Sequence, residues 1–283
     1  PSSISPTSTR IGPTPRARLR KSATRAPAMH NATAAALTGR RVLVTGGARG
    51  LGAAFVGALA QAGASVVFGD LLHDEGQALA ASLGKAGHAV SYLPLDLAQP
   101  DSIARFVADA AKQLGGIDGL INNAAITNSG GKLATELTKE TWDAVMNVNV
   151  RGTWLASTAA LPHLRSSGRG AIVNIASDTA LWGAPKLLAY VASKGAVISM
   201  THSLAREFGV DGITVNAIAP GLTEVEATAY VPAARHAYYR EGRALTRAQV
   251  PEDVTGPVLF LLSDAARFVT GQLLPVNGGF VMN

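Results

Sequence analysis

Cysteine is absent from the 283 residues. Its absence excludes disulfides, thiolate nucleophiles and cysteine metal sites, and it suits a reducing compartment such as the cytoplasm. No apolar run approaches the ~18 residues that cross a bilayer, so no membrane span and no membrane partner are predicted. Aromatic residues are scarce, at 5%, while glycine numbers 30 and alanine is abundant, a composition suited to helices packed closely on a sheet. Charged residues make up 16% against 47% hydrophobic, as expected of a well-cored globule. Acidic residues are missing altogether from positions 1–30, which hold Arg10, Arg16, Arg18, Arg20, Lys21 and Arg25. Of the 25 lysines and arginines, the 19 outside this stretch balance 19 acidic residues. The net charge of +6 therefore belongs to the tail, and no nucleic-acid partner is expected for the neutral body. Residues 1–36 are predicted to be a basic, disordered extension, with Met29 as a possible natural start. Pro6, Pro13, Pro15 and Pro27 would interrupt the amphipathic helix of an organellar targeting peptide.

Beyond the tail, short apolar runs alternate with helical patterns. Strands are expected at 41–46, 64–70, 89–95, 117–122, 171–176, 213–217 and 273–276. Helices are expected at 52–62, 74–85, 101–114, 139–164, 187–208 and 251–263. Strands that read as continuous apolar runs, each followed by a helix, indicate an α/β fold with a single doubly wound parallel sheet of Rossmann type, helices on both faces. One domain, residues 37–283, accounts for this pattern. Two stretches break the rhythm: a polar loop at 127–138, and an insertion at about 222–250 expected to act as a lid. Both follow strand carboxyl ends, where open α/β sheets place their ligands.

Thr45 to Gly52 reads TGGARGLG between the first strand and the first helix. Gly46, Gly50 and Gly52 allow a tight turn and close backbone approach of a pyrophosphate, to which the helix start presents amides. Asp70 ends the second strand, where a carboxylate accepts the adenine ribose hydroxyls and repels a 2′-phosphate, favouring NAD over NADP. Arg49 argues the other way, as a guanidinium able to hold that phosphate. Asp96, after the third strand, is placed for the adenine edge or as a cap of the next helix. In Tyr190-Val-Ala-Ser-Lys194 the phenol and the ammonium lie four residues apart on one helix face. The cation is expected to lower the tyrosine pKa from its usual value of about 10 and fit it for general acid–base work.

These motifs, with LDL at 95–97, NNAA at 122–125, Asn149 in VMNVNVRG, Ser177 in IVNIAS and PGL at 220–222, resemble in kind and order those of the classical short-chain dehydrogenase/reductase family. The resemblance runs from about Leu37 to Asn283. It implies a nicotinamide cofactor and a catalytic tetrad of Asn149, Ser177, Tyr190 and Lys194. Tyr190 would exchange a proton with the substrate oxygen, and Ser177 would hold that oxygen. Lys194 would hold the nicotinamide ribose, and Asn149 would bend its helix and anchor a water leading to Lys194. Besides the residues already named, the resemblance implies cofactor contacts at Leu51, Leu97, Asn123, Ala124, Pro220 and Thr223, with Tyr190 and Lys194. No metal is implied, and a homotetramer is.

Three positions depart from the family pattern: Ala125 stands where glycine is usual, Val225 where a threonine often contacts the carboxamide, and Asn277 where aspartate is usual. Ile126, Trp182, Leu187 and Tyr230 are expected to face the substrate, with Leu188 a further candidate. An apolar, partly aromatic lining suits an alicyclic or aryl secondary alcohol. The expected activity is hydride transfer between NAD and such an alcohol or its ketone. Two alternatives stand beside it: an NADP-dependent 3-oxoacyl thioester reductase, and a non-catalytic dinucleotide-binding regulator.

Overall fold

The computed structural model describes residues 37–282; the expectation of a disordered basic tail lies outside them. The seven strands are β1 (Arg41–Thr45), β2 (Ser65–Asp70), β3 (Val90–Pro94), β4 (Gly119–Asn122), β5 (Ala171–Ile175), β6 (Thr214–Pro220) and β7 (Leu273–Val276). They form one sheet in the order β3-β2-β1-β4-β5-β6-β7, and every pairing is parallel. The strand order reverses between β1 and β4, which opens a crevice at their carboxyl ends.

Each strand feeds two cores because its side chains alternate. Val42, Val44, Val66, Phe68, Ile121 and Val173 pack on one face against α1 (Gly50–Gln61) and α9 (Glu252–Leu262). α2 (His73–Lys85) covers the rim of that face through Leu79 and Leu83. Leu43, Val67, Leu120 and Ile172 pack on the other face against α3 (Pro100–Leu114), α5 (Thr153–Ser167) and α7 (Leu188–Phe208). With both faces covered, the central strands β1, β4, β5 and β6 are buried almost end to end, which is why they read as unbroken apolar runs.

Asp118 precedes β4 with its carboxylate fully buried. It accepts from the Arg41 amide at 2.9 Å, from Arg41 Nε at 2.9 Å and Nη2 at 2.8 Å, and from Arg169 Nε at 3.1 Å and Nη2 at 3.0 Å. Burial alone would raise this group. The two guanidiniums and the amide outweigh it and hold the carboxyl down at about 2.

Three expected elements are corrected. The single helix at 139–164 is two helices, α4 (Lys139–Met146) and α5, joined by a π-helical turn at Asn147–Gly152. The insertion at 222–250 is only partly irregular: it carries α8 (Ala233–Gly242) and is tied at its base by a parallel bridge between Thr223 and Gln249. β6 continues to Pro220 because β7 pairs with it from Ala217 through Pro220.

Candidate active site

A cleft of about 1060 Å³ opens at the carboxyl ends of the strands, lined by residues from every motif named above. At one end lies the glycine turn. Gly46 has φ +69°, a conformation that side chains resist, and a Cβ there would meet Ala124 Cα at 2.7 Å. A Cβ on Gly52 would come within 1.8 Å of the Gly46 carbonyl, so the start of α1 can approach the turn only as glycine. Asn123 locks this arrangement from just beyond β4, donating to Gly46 O at 2.8 Å and Thr45 O at 3.1 Å. The turn thus leaves a bare backbone cradle suited to a pyrophosphate. One contact was not legible in the sequence: the Gly50 amide donates to Glu226 Oε1 of the covering segment at 2.8 Å.

Asp70 faces the same end. Its Oδ2 accepts from Ala48 N at 3.0 Å and its Oδ1 from Leu72 N at 3.1 Å, which fixes an anion beside the glycine turn. Arg49 is exposed at the mouth of the turn. Asp96 lines the cleft with Leu97; its Oδ1 accepts from Ala98 N at 2.8 Å, and the residue flanking the start of α3 is Gln99. Asp96 is therefore a turn residue and does not cap that helix. Leu51, Ala124, Pro220 and Thr223 also lie on the lining, as does Val225.

Of the four candidate catalytic residues, Ser177, Tyr190 and Lys194 line the cleft away from the glycine turn, and Asn149 is buried off the lining. Ser177 lies between β5 and the short helix α6 (Thr179–Trp182), and its hydroxyl accepts from Thr179 Oγ1 at 2.8 Å. Asn149 is buried in the π-helical turn, where its Oδ1 accepts from Ile126 N at 2.8 Å and its Nδ2 donates to Ser193 Oγ at 3.0 Å. These bonds pin the loop after β4 to α7. Tyr190 and Lys194 stand on one face of α7, with Lys194 Nζ 5.6 Å from the Tyr190 ring centroid. Nζ donates to Ile175 O at 2.7 Å.

The expected depression of the Tyr190 pKa is corrected. Burial pushes the phenol well above its usual value; the Ser177 hydroxyl draws it partly down, while Tyr230 and Asp178 raise it. Burial also lowers Lys194 to about 8. Removing both groups from water disfavours phenolate and ammonium alike, so neither charge is fully available to stabilise the other.

At the substrate end, Ile126, Leu187 and Tyr230 line the cleft, and Tyr230 donates to Thr127 O at 2.6 Å. Trp182 and Leu188 lie off the lining. The Trp182 ring packs behind it among Tyr238, Tyr239 and Phe280, with centroids 5.8, 6.1 and 5.7 Å away. Leu188 faces solvent at 47% exposure. Sequence reading missed Asp178, Lys186, Arg235 and Tyr239 on the lining. The only signal for Asp178 was an acid placed directly after Ser177 at a strand end. Among the described residues no helix is long and apolar enough to cross a membrane, and no cluster of three His, Asp or Glu could hold a metal.

Comparison with known proteins agrees with this geometry. A family model described as enoyl-(acyl carrier protein) reductase matches residues 46–281. The chain is 40% identical over 245 residues to a 3-alpha-(or 20-beta)-hydroxysteroid dehydrogenase of Mycobacterium tuberculosis, covering 87% of this chain and 90% of that one. It is 36% identical over 247 residues to a 3-oxoacyl-[acyl-carrier-protein] reductase of Thermotoga maritima, covering 87% and 99%. The crystal structure of a putative short-chain alcohol dehydrogenase from Sinorhizobium meliloti 1021 superposes with a TM-score of 0.82 at 34% identity, covering 87% of this chain and 98% of that one. These matches span nearly the whole length of each relative. The chain belongs to the short-chain dehydrogenase/reductase family, oxidoreductases that work with a nicotinamide dinucleotide.

Proposed function

We propose that this protein is an NAD-dependent dehydrogenase that interconverts a secondary alcohol and its ketone, with Tyr190 as general acid and base. The observation that carries this reading is the shared cleft: the Asp70 carboxylate and the glycine turn at one end, Ser177, Tyr190 and Lys194 at the other. Asp70 is held by two backbone amides, and a fixed anion in a partly desolvated site repels a 2′-phosphate more than the exposed, mobile Arg49 attracts it. A dinucleotide held there would supply the hydride acceptor for oxidation. Ser177 holds the substrate oxygen and stabilises the charge that develops on it. Tyr190 takes the hydroxyl proton in oxidation and returns it in reduction. Lys194 lies beside the Tyr190 ring on the lining of the cleft, and Asn149 keeps the loop of Ile126 against α7. Glu226 must leave the Gly50 amide for a pyrophosphate to take its place.

Ile126, Leu187, Val231 and Pro232 give the substrate end an apolar surface, which suits an alicyclic or aryl alcohol. The test is turnover: NAD reduction with cyclohexanol and 1-phenylethanol, and, for the rival reading, NADPH oxidation with a 3-oxoacyl thioester. Oxidation of at least one alcohol with NAD is expected. Activity confined to the thioester with NADPH would replace this proposal with the biosynthetic reductase, for which Arg49 and the Thermotoga relative speak.

We further propose a homotetramer. Trp154 on α5 and Leu188 on α7 are exposed on one flank, and Phe260 on α9 and Leu274 on the edge strand β7 on another, apolar side chains suited to two subunit contacts. Light scattering is expected to give four times the chain mass; a monomer at working concentration would contradict it.

A further inference from the structure

Directly after Ser177 stands a fully buried acid, Asp178, which makes no ion pair among the described residues. Its Oδ1 accepts from the Tyr239 hydroxyl at 2.8 Å, and that hydroxyl accepts from Trp182 Nε1 at 3.2 Å. Its Oδ2 has no hydrogen-bond partner among the described residues. The Asp178 amide donates to Pro220 O at 3.0 Å, so the carboxylate is fixed to the ends of β5 and β6. Tyr239 belongs to α8. It stacks on Phe280 with centroids 4.3 Å apart, and the Arg243 guanidinium lies 5.2 Å from its ring centroid. Along α8, Arg235 stacks 5.2 Å over the Trp182 ring and lines the cleft. A single hydrogen bond therefore joins the residue beside Ser177 to the helix that covers the substrate end.

The placement of this acid is costly. Burial pushes Asp178 up to about 6, with Tyr239, Arg243, Asn277 and Trp182 drawing it only partly down. The charged and titratable groups around it are Tyr190 on α7, Tyr239 and Arg235 on α8, and Arg243 just beyond. The protonated form contributes stability below about pH 4 that is lost as pH rises through about 6. At neutral pH an amide here would suit the fold better, and a group that opposes stability is the kind that functional sites retain.

We propose that Asp178 is a positioning residue: its hydrogen bond to Tyr239 holds α8, and with it Arg235, over the substrate end of the cleft in register with Ser177. The assignment of a substrate end rests on the dehydrogenase reading above; the clasp itself does not. The clasp lies away from the glycine turn and Asp70, so it governs substrate affinity and leaves dinucleotide binding alone.

The test compares the full chain with Tyr239→Phe, which keeps the ring stack and removes the hydroxyl, with Asp178→Ala, which removes its acceptor, and with the double variant. Hydrogen exchange of residues 233–242 is expected to quicken in each single variant and no further in the double, because both break one link. At pH 8 Asp178→Asn, which keeps an acceptor for the Tyr239 hydroxyl and removes the buried charge, should melt no lower than the wild type and leave exchange in α8 unchanged. With NAD and 1-phenylethanol or cyclohexanol, KM should rise about ten-fold in Tyr239→Phe and in Asp178→Ala, while kcat stays within about two- to three-fold. Unchanged exchange in α8 of these two variants, or effects of the two substitutions that simply multiply, would overturn the proposal. Release of α8 in variants of a protein that oxidises neither alcohol would support the clasp and sink the dehydrogenase reading.

Discussion

Replacing Tyr190 by phenylalanine is expected to lower alcohol oxidation by roughly 10³-fold while the dinucleotide still raises the melting temperature. The phenol opens onto the cleft between Ser177 and Lys194, and its ring is retained in the variant, so packing and cofactor contacts survive while proton transfer does not. The raised pKa of Tyr190 sets the sign of the pH dependence. Oxidation needs the phenolate as base, so its rate should climb with pH across the neutral range, and reduction, which needs the phenol, should not. Tyr190→Phe also separates catalysis from a regulatory role. Loss of turnover with intact binding supports an enzyme, whereas a cellular phenotype that survives the substitution would support a dinucleotide-binding regulator.

The second large effect concerns stability. Asp118→Ala removes the partner of two guanidiniums and five hydrogen bonds, and breaking a buried pair in this way costs about 3–5 kcal/mol. Denaturant melts should show the loss as a lower midpoint with an unchanged slope. The same group predicts a pH window for the wild type. Its carboxyl is held at about 2 in the folded protein against the ordinary aspartate value of about 3.9, so it contributes about 2 kcal/mol above pH ~4 that is lost as pH falls toward ~2. If Asp118→Ala and the wild type lost stability in parallel over that acid range, the assignment to Asp118 would fail.

The layout of strands was legible because a parallel sheet covered on both faces leaves runs such as Val42–Val44 and Ile172–Val173 with no solvent side. The glycine turn was legible for a related reason: Gly46 and Gly52 sit where no side chain fits. The break at Asn149 was not, since the π-helical turn depends on bonds to Ile126 and Ser193, which are distant in sequence. α8 carries exposed Arg and Tyr residues with no apolar stripe, and only Tyr239 along it is buried. Trp182 has the same explanation. Its neighbours Tyr239 and Phe280 come from segments far along the chain, so spacing from Ser177 alone pointed it toward the substrate when tertiary packing turned it away. Asp178 was illegible because a lone acid in a strand-end loop reads as solvated, and its burial is set by the arrival of α8.

The most direct test of the central claim is the melting temperature of the purified protein with NAD and with NADP in parallel. A ligand present at a hundred times its dissociation constant adds about 2.7 kcal/mol of apparent stability. The account predicts a clear upward shift with NAD and little with NADP, enlarged for NAD by Glu226→Gln, which removes the carboxylate charge from the Gly50 amide. A larger shift with NADP would mean that Arg49 outweighs Asp70, and no shift with either would contradict the assignment of the cleft to a dinucleotide.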